Sequence, residues 1–348
     1  MLSATELSRL LGYPVQIRSE RIHAGHIAEV ARIHLTRVSA SPTQPSPSLT
    51  SSSIALPEPT KNRAPQSSLP RTLIFKRESI SNAQGITQTF SSHPRERFFY
   101  ESIAPTLGIP TPKLWAASAP GTRPGWLLLE DVQDPEAAPL NPDQALTRLG
   151  QLHESTLDQA VTTLTFEQNV DDLYHYVETL SQQKLSRFLG QLAERSPGLS
   201  QQLHSDWVQR ALPISAAPAC LIHCDFRWDN LGTKGGVTVF DWGDYCQGPA
   251  SFDLSFFIMT SCQGLAPDDE TGWRQLIGAY QQGLSKDSSL ADYAQTAAFK
   301  AEVQRLARLV AWTPAMLLLD DDTMSSDKQQ YWHKVLDQCG RWSLAENA

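Results

Sequence analysis

The sequence contains no apolar run of about eighteen residues, the length a membrane-spanning helix needs, so no membrane association is expected. Dense runs of lysine and arginine are missing too. With 29 basic against 37 acidic side chains and a formal net charge of −8, the chain lacks the basic face by which nucleic-acid binders grip phosphates. Cysteine is scarce: five in 348 residues, an odd number with no C-x-x-C pair. This argues against a disulfide framework and describes the reduced thiols of a cytoplasmic protein. Cys220, His223 and Cys224 lie close together, but no second ligand pair sits at zinc-finger spacing, so a zinc site is set aside. The N-terminal residues show no basic region followed by an apolar run, and no signal peptide is expected. What is present is a globular composition, 41% hydrophobic with nine tryptophans, and enough length for two lobes with their own cores.

Taken in order, the chain begins with a helical pattern at 3–12, with Ser3 as N-cap, followed by strands at 15–22 and 28–38. Between the strands stands Gly25, which could let backbone N–H groups approach phosphates or could serve a simple hairpin turn. Residues 39–70 are dominated by Ser, Pro and Thr with no apolar periodicity. They read as a disordered insertion, tolerated because closure entropy grows only slowly with loop length. Order resumes with the strand at 72–78, which carries Lys76. A helix opening at His93-Pro94 follows, with Phe99, Tyr100 and Ile103 on its buried face and Glu96 one turn before Tyr100. Strands at 113–117 and 126–132 complete a small sheet-rich N-lobe at 1–130, and Glu130-Asp131 ends its last strand. Residues 131–348 read as a larger, mostly helical C-lobe. Its helices fall at 143–155, 170–180, 182–193, 199–211, 270–284, 291–319 with a kink at Pro314, and 327–343. His153, at the end of the first of these, is expected to be a packed or capping residue. The acidic clusters at 268–270 and 320–322 read as solvated charge.

The helical pattern is interrupted at 221–257, and the chemistry concentrates there. His223, Asp225 and Asn230 stand on a loop that follows the short strand Leu221-Ile222. Gly232-Thr-Lys-Gly-Gly236 reverses the chain, and Asp241 follows a second short strand at 237–240. Carboxylates and an amide carried on short loops suit a metal–phosphate site: one acid holds a hydroxyl, while the amide and the second acid hold a hard cation.

These residues are similar to those of the aminoglycoside phosphotransferase and choline-kinase-like family. The match of His223-x-Asp225-x4-Asn230 is to that family's catalytic loop, that of Asp241-Trp242 is to its metal-binding element, and that of Gly248-Pro-Ala-Ser-Phe-Asp253-Leu is to the segment after it. The resemblance covers about residues 15–40 and 71–260. It implies an α+β, two-lobed protein-kinase-like fold, with a small antiparallel-sheet N-lobe and a larger helical C-lobe. It further implies transfer of the ATP γ-phosphoryl group to a small-molecule hydroxyl, with ATP and Mg2+ as cofactors and neither nucleic acid nor membrane as partner. Asp225 would accept or orient the hydroxyl proton, Arg227 would stabilise the transferring group or form a structural salt bridge, and His223 would orient the loop. Asn230 and Asp241 would hold magnesium. Lys76, aligned by Glu96, would neutralise the nucleotide phosphates, with Gly25 nearby, and the backbone around Leu129, Glu130 and Asp131 would bind adenine. Asp253 would brace the catalytic loop through its N–H groups.

Three features depart from the family's pattern: Cys224 in place of the usual Gly, Gly243 after Asp241-Trp242, and the insertion before the lysine strand. A non-catalytic kinase-fold protein that binds nucleotide or a partner is the alternative. A protein kinase ranks lower, because no activation segment lies between Asp241 and Asp253.

Overall fold

The structure, a computed structural model, describes residues 1–22, 28–38, 70–78, 93–179, 182–195, 197–203, 218–320 and 324–345. Gly25, the insertion at 39–69 and the expected helical residues 204–211 lie outside these. The chain divides into two compact units, residues 1–105 with 112–133 and residues 106–111 with 134–348.

The first unit is built on a five-stranded antiparallel sheet in the order β1-β2-β3-β5-β4. Its strands are β1 (Val15–Ile22), β2 (Ala28–Arg37), β3 (Thr72–Glu78), β4 (Leu114–Ala117) and β5 (Trp126–Glu130). Side chains alternate across the pleat, so β3 sends Leu73 and Phe75 into a core with Leu7, Val15, Ile33 and Leu128. Lys76 is therefore carried on the opposite face of β3. Helix α1 (Ala4–Leu11) covers that core and is closed at both ends. Ser3 and Glu6 form a reciprocal capping box, and Gly12 ends the helix at φ +79°, a conformation open to glycine.

The expected helix at His93 is shorter than its pattern. Helix α2 (His93–Phe98) widens into a π turn at Phe99–Ile103 and tightens into a 3-10 turn at Ala104–Thr106. The wide turn keeps Glu96, Phe99, Tyr100 and Ile103 all buried.

The second unit is mostly helical. Helices α3 (Pro142–Ser155), α4 (Phe166–Thr179), α5 (Gln182–Arg195) and α6 (Pro197–Leu203) precede the central stretch. Helix α3 starts on an Asn141–Gln144 capping box with Pro142 at the first helical position. The central stretch departs from expectation in its pairing. Strand β6 (Ala219–Ile222) pairs with β9 (Cys246–Pro249), which has too much Gly and Pro to read as a strand, while β7 (Leu231–Gly232) and β8 (Thr238–Val239) form their own small hairpin.

Helix α7 (Ala250–Ser261) had no periodic signature because it is apolar on all sides and buried from Ala250 to Thr260. Around it lie α8 (Glu270–Gln281), α9 (Ser289–Ala294), α10 (Ala297–Val310), α11 (Trp312–Asp320) and α12 (Ser326–Ala345). The expected single helix at 291–319 is thus three. Thr296 accepts the N–H of Phe299 (3.1 Å) and starts α10 afresh. The second break falls at Ala311, and Pro314 sits in the first turn of α11, where a missing N–H costs little. Helices α3 and α8 approach so closely that a Cβ at Gly150 would overlap the Tyr280 carbonyl.

Candidate active site

In the first unit, Lys76 Nζ on β3 and Glu96 Oε2 on α2 form an ion pair at 2.7 Å, with the side chains 15% and 4% exposed. A carboxylate that deeply buried needs a cation beside it. At the end of β5, Leu129 is buried between β3 and β4, and Glu130 gives its N–H to the Lys113 carbonyl (2.8 Å). The Asp131 carboxylate takes Arg32 Nε (2.6 Å) and the Gln133 N–H (3.2 Å). Asp131 thus fixes the chain where it leaves the sheet.

In the second unit, the loop after β6 is a dense polar network. Asn230, in a 3-10 turn at Trp228–Asn230, donates from Nδ2 to the Asp225 carbonyl (2.8 Å) and to Asp225 Oδ2 (2.7 Å). Arg227 Nε lies 3.1 Å from Asp225 Oδ1, and its Nη1 donates to Asp229 (3.0 Å). Both oxygens of Asp225 are therefore held, one by an amide and one by a cation, while the side chain keeps 22% of its surface exposed. Burial raises the Asp225 pKa above the ordinary aspartate value; Arg227 and His223 oppose that rise and Asp241 adds to it. Burial also disfavours the Arg227 charge, but Asp225 and Asp229 more than restore it, so its pKa is raised.

His223 is fully buried. Its Nε2 donates to the Phe240 carbonyl (2.9 Å) and its Nδ1 accepts the Asp225 N–H (3.2 Å), which fixes the neutral tautomer. Both ring nitrogens are engaged by backbone, so the ring ties the loop to the segment before Asp241. The Phe240 N–H donates to the Asn230 carbonyl (3.0 Å), which brings Asp241 next to Asn230 in the same ladder. Asp241 has φ +66°, a left-handed backbone that turns the chain sharply out of that segment.

Asp253, on buried α7, accepts the N–H groups of His223 (2.7 Å) and Cys224 (2.8 Å). Behind it, His153 Nε2 donates to Asp253 Oδ2 (3.3 Å), and the Tyr280 hydroxyl donates to His153 Nδ1 (2.8 Å). Burial holds the Tyr280 hydroxyl well above the ordinary tyrosine value, so it stays a donor.

The candidate residues thus fall in two sets. Lys76 and Glu96 meet in one unit; His223, Asp225, Arg227, Asn230 and Asp241 are linked in the other. Three supporting contacts were invisible in the sequence because their partners are remote in the chain. Tyr280 stands behind His153; Asn169 donates to the Asp244 carbonyl (3.0 Å); and α12 flanks Arg227, with Trp332 under the guanidinium (5.3 Å) and Tyr331 bonded to it.

A small antiparallel sheet with a lysine–glutamate pair, followed by a helical unit with an Asp–Asn loop and a second Asp, defines a phosphotransferase of the protein-kinase-like fold. The model of the phosphotransferase enzyme family, APH, matches residues 70–299, about two thirds of the chain, and the chain belongs to that family. No curated protein matches its sequence. Among solved structures, it is similar to a candidate aminoglycoside phosphotransferase from Ralstonia eutropha JMP134, at 12% identity and a TM-score of 0.50, over 98% of this chain and 96% of that one. It is similar also to a candidate fructosamine-3-kinase from Thermobifida fusca YX-ER1, at 13% identity and a TM-score of 0.50, over 98% of each chain. At such identities the likeness speaks to the fold.

Proposed function

We propose that the protein transfers the γ-phosphoryl group of ATP to a hydroxyl group of a small molecule. The observation that carries this reading is the fixed Asp225 carboxylate: it is partly exposed and held by Asn230 and Arg227 on a loop braced by Asp253. Such a group can take the proton of an acceptor hydroxyl as the acceptor oxygen bonds to the γ-phosphorus. The bond from that phosphorus to the bridging oxygen breaks in the same step, and ADP leaves. The transition state of phosphoryl transfer asks for positioning and charge more than for covalent help. Arg227, beside Asp225, supplies positive charge for the transferring group. His223 acts as a positioning residue, because neither of its nitrogens is open for proton transfer.

Lys76, held by Glu96, is the cation assigned to the nucleotide phosphates. Adenine is assigned to the backbone around Leu129, Glu130 and Asp131. The donor set of Asn230 and Asp241 suits a hard divalent cation. Asn230 spends its amide nitrogen on Asp225, so Oδ1 is the atom it can offer, and Asp241 adds a carboxylate. Magnesium, when bound there, supplies positive charge to the phosphate oxygens.

The test compares wild type with Asp225→Asn for ATP binding by calorimetry and for magnesium-dependent ADP release over a panel of hydroxyl compounds. We expect both proteins to bind ATP, and the variant to turn over at least about 10²–10⁴-fold more slowly. Binding without turnover in wild type, over the whole panel, would make this a non-catalytic nucleotide-binding protein instead.

A further inference from the structure

Cys224 stands between His223 and Asp225 at φ +66°, a backbone conformation that a side chain rarely adopts. Its Sγ lies 3.5 Å from Sγ of Cys246. Cys246 is on β9, opposite Ile222, so the two thiols are diagonal neighbours where β6 ends and the catalytic loop begins. Asn169 Nδ2 on α4 also reaches Cys224 Sγ (3.6 Å). Cys224 is partly buried, and Cys246 is buried.

We propose that Cys224 and Cys246 are a redox pair, which a hydroperoxide converts to a disulfide that switches the catalytic loop off. The Cys224 thiolate attacks the peroxide oxygen, giving the sulfenic acid and, after protonation, a molecule of water or alcohol. The Cys246 sulfur then attacks the Cys224 sulfur and expels a second water. Two thiols lose two electrons and two protons, and the peroxide gains them. Reduction by a small dithiol reverses the change.

The geometry sets the consequence. A disulfide has an S–S length of about 2.05 Å, so the sulfurs must close by about 1.5 Å. Closure draws Cys224 towards β9 and away from Asn169, and it strains the N–H bond to Asp253. Asp225 is the next residue, and a misplacement of about 1 Å at such a group costs about 10²-fold in rate. Burial, with Cys246 beside it, holds the Cys224 thiol well above the ordinary range, so oxidation is slow near neutrality and quickens as pH rises. The effect on activity rests on the proposed function; the bond itself does not.

The experiment treats the reduced, full-length protein with hydrogen peroxide, counts free thiols after unfolding, and maps peptides without reduction. The expected result is the loss of two of the five thiols, with Cys224 and Cys246 in one linked peptide and phosphotransfer down about 10²-fold, all restored by dithiothreitol. Cys246→Ser should form no such link. If serine is not tolerated at that buried site, Cys224→Gly suits the left-handed backbone and removes the link equally. Five thiols remaining, or a link between other cysteines, overturns the pair. A Cys224–Cys246 link with undiminished phosphotransfer overturns the switch. The thiol count needs no activity, so an absence of phosphotransfer before oxidation counts against the proposed function and not against the pair.

Discussion

The two charged sets are held by different means. In the first unit, Lys76 and Glu96 compensate each other, one ion pair bridging a strand and a helix. In the second, the Asp225 loop rests on a carboxylate, Asp253, that bonds backbone N–H groups and has His153 and Tyr280 behind it. An ion pair fixes one side chain against another; backbone hydrogen bonds fix a whole loop, and every side chain on it. The difference suits the two proposed roles. A lysine need only meet phosphate charge and can tolerate some play, whereas a group that receives a proton must stand within about 0.5 Å of its place.

Three substitutions sharpen or break this contrast. The largest effect is expected from Asp253→Ala, which leaves two buried N–H groups without an acceptor at about 1–3 kcal/mol each, and His153 without its partner. Chemical denaturation should show a loss of about 4 kcal/mol with a poorly ordered catalytic loop; a loss below about 1 kcal/mol would mean that the brace is dispensable. Lys76→Met removes the cation beside the buried Glu96 carboxylate and should act on the nucleotide as well, weakening ATP by about tenfold, or ~1.4 kcal/mol. Calorimetry showing unchanged ATP affinity would remove Lys76 from the nucleotide site.

Arg227→Met is read in the pH profile, where the expected shift is the smallest of the three signals. Asp225 must be ionised to take a proton, so kcat/KM falls as pH drops through its pKa. Burial raises that pKa above the ordinary aspartate value and Arg227 opposes the rise. Removing the guanidinium should therefore move the acid limb to higher pH, and a limb that stays put would show that Arg227 does not act on Asp225.

Much of this was legible in the sequence, for identifiable reasons. The strand bearing Lys76 shows as the apolar run Leu73-Ile-Phe75 just before the lysine, with Leu73 and Phe75 buried. His223, Asp225 and Asn230 fall close together because one loop carries them. Periodicity failed where burial is complete. Helix α7, which carries Asp253, has no polar face to mark its turns, and β9 is a strand by pairing with β6 despite its Gly and Pro. The breaks at Thr296 and Ala311 were hidden because apolar spacing continues across them, while Pro314, the conspicuous breaker, sits harmlessly in a first turn. The line from Tyr280 through His153 to Asp253 joins three helices, and Asn169 reaches Cys224 from a fourth; no local pattern encodes such contacts.

The central claim is that a phosphoryl group leaves ATP and arrives on a hydroxyl, with Asp225 receiving the proton. Phosphorus NMR of wild type with ATP, magnesium and a pool of small alcohols, sugars and amino alcohols tests it most directly. A phosphate monoester should grow in step with ADP, and neither should grow with Asp225→Asn. ADP accompanied only by inorganic phosphate, or the same monoester formed at full rate by the variant, would contradict it.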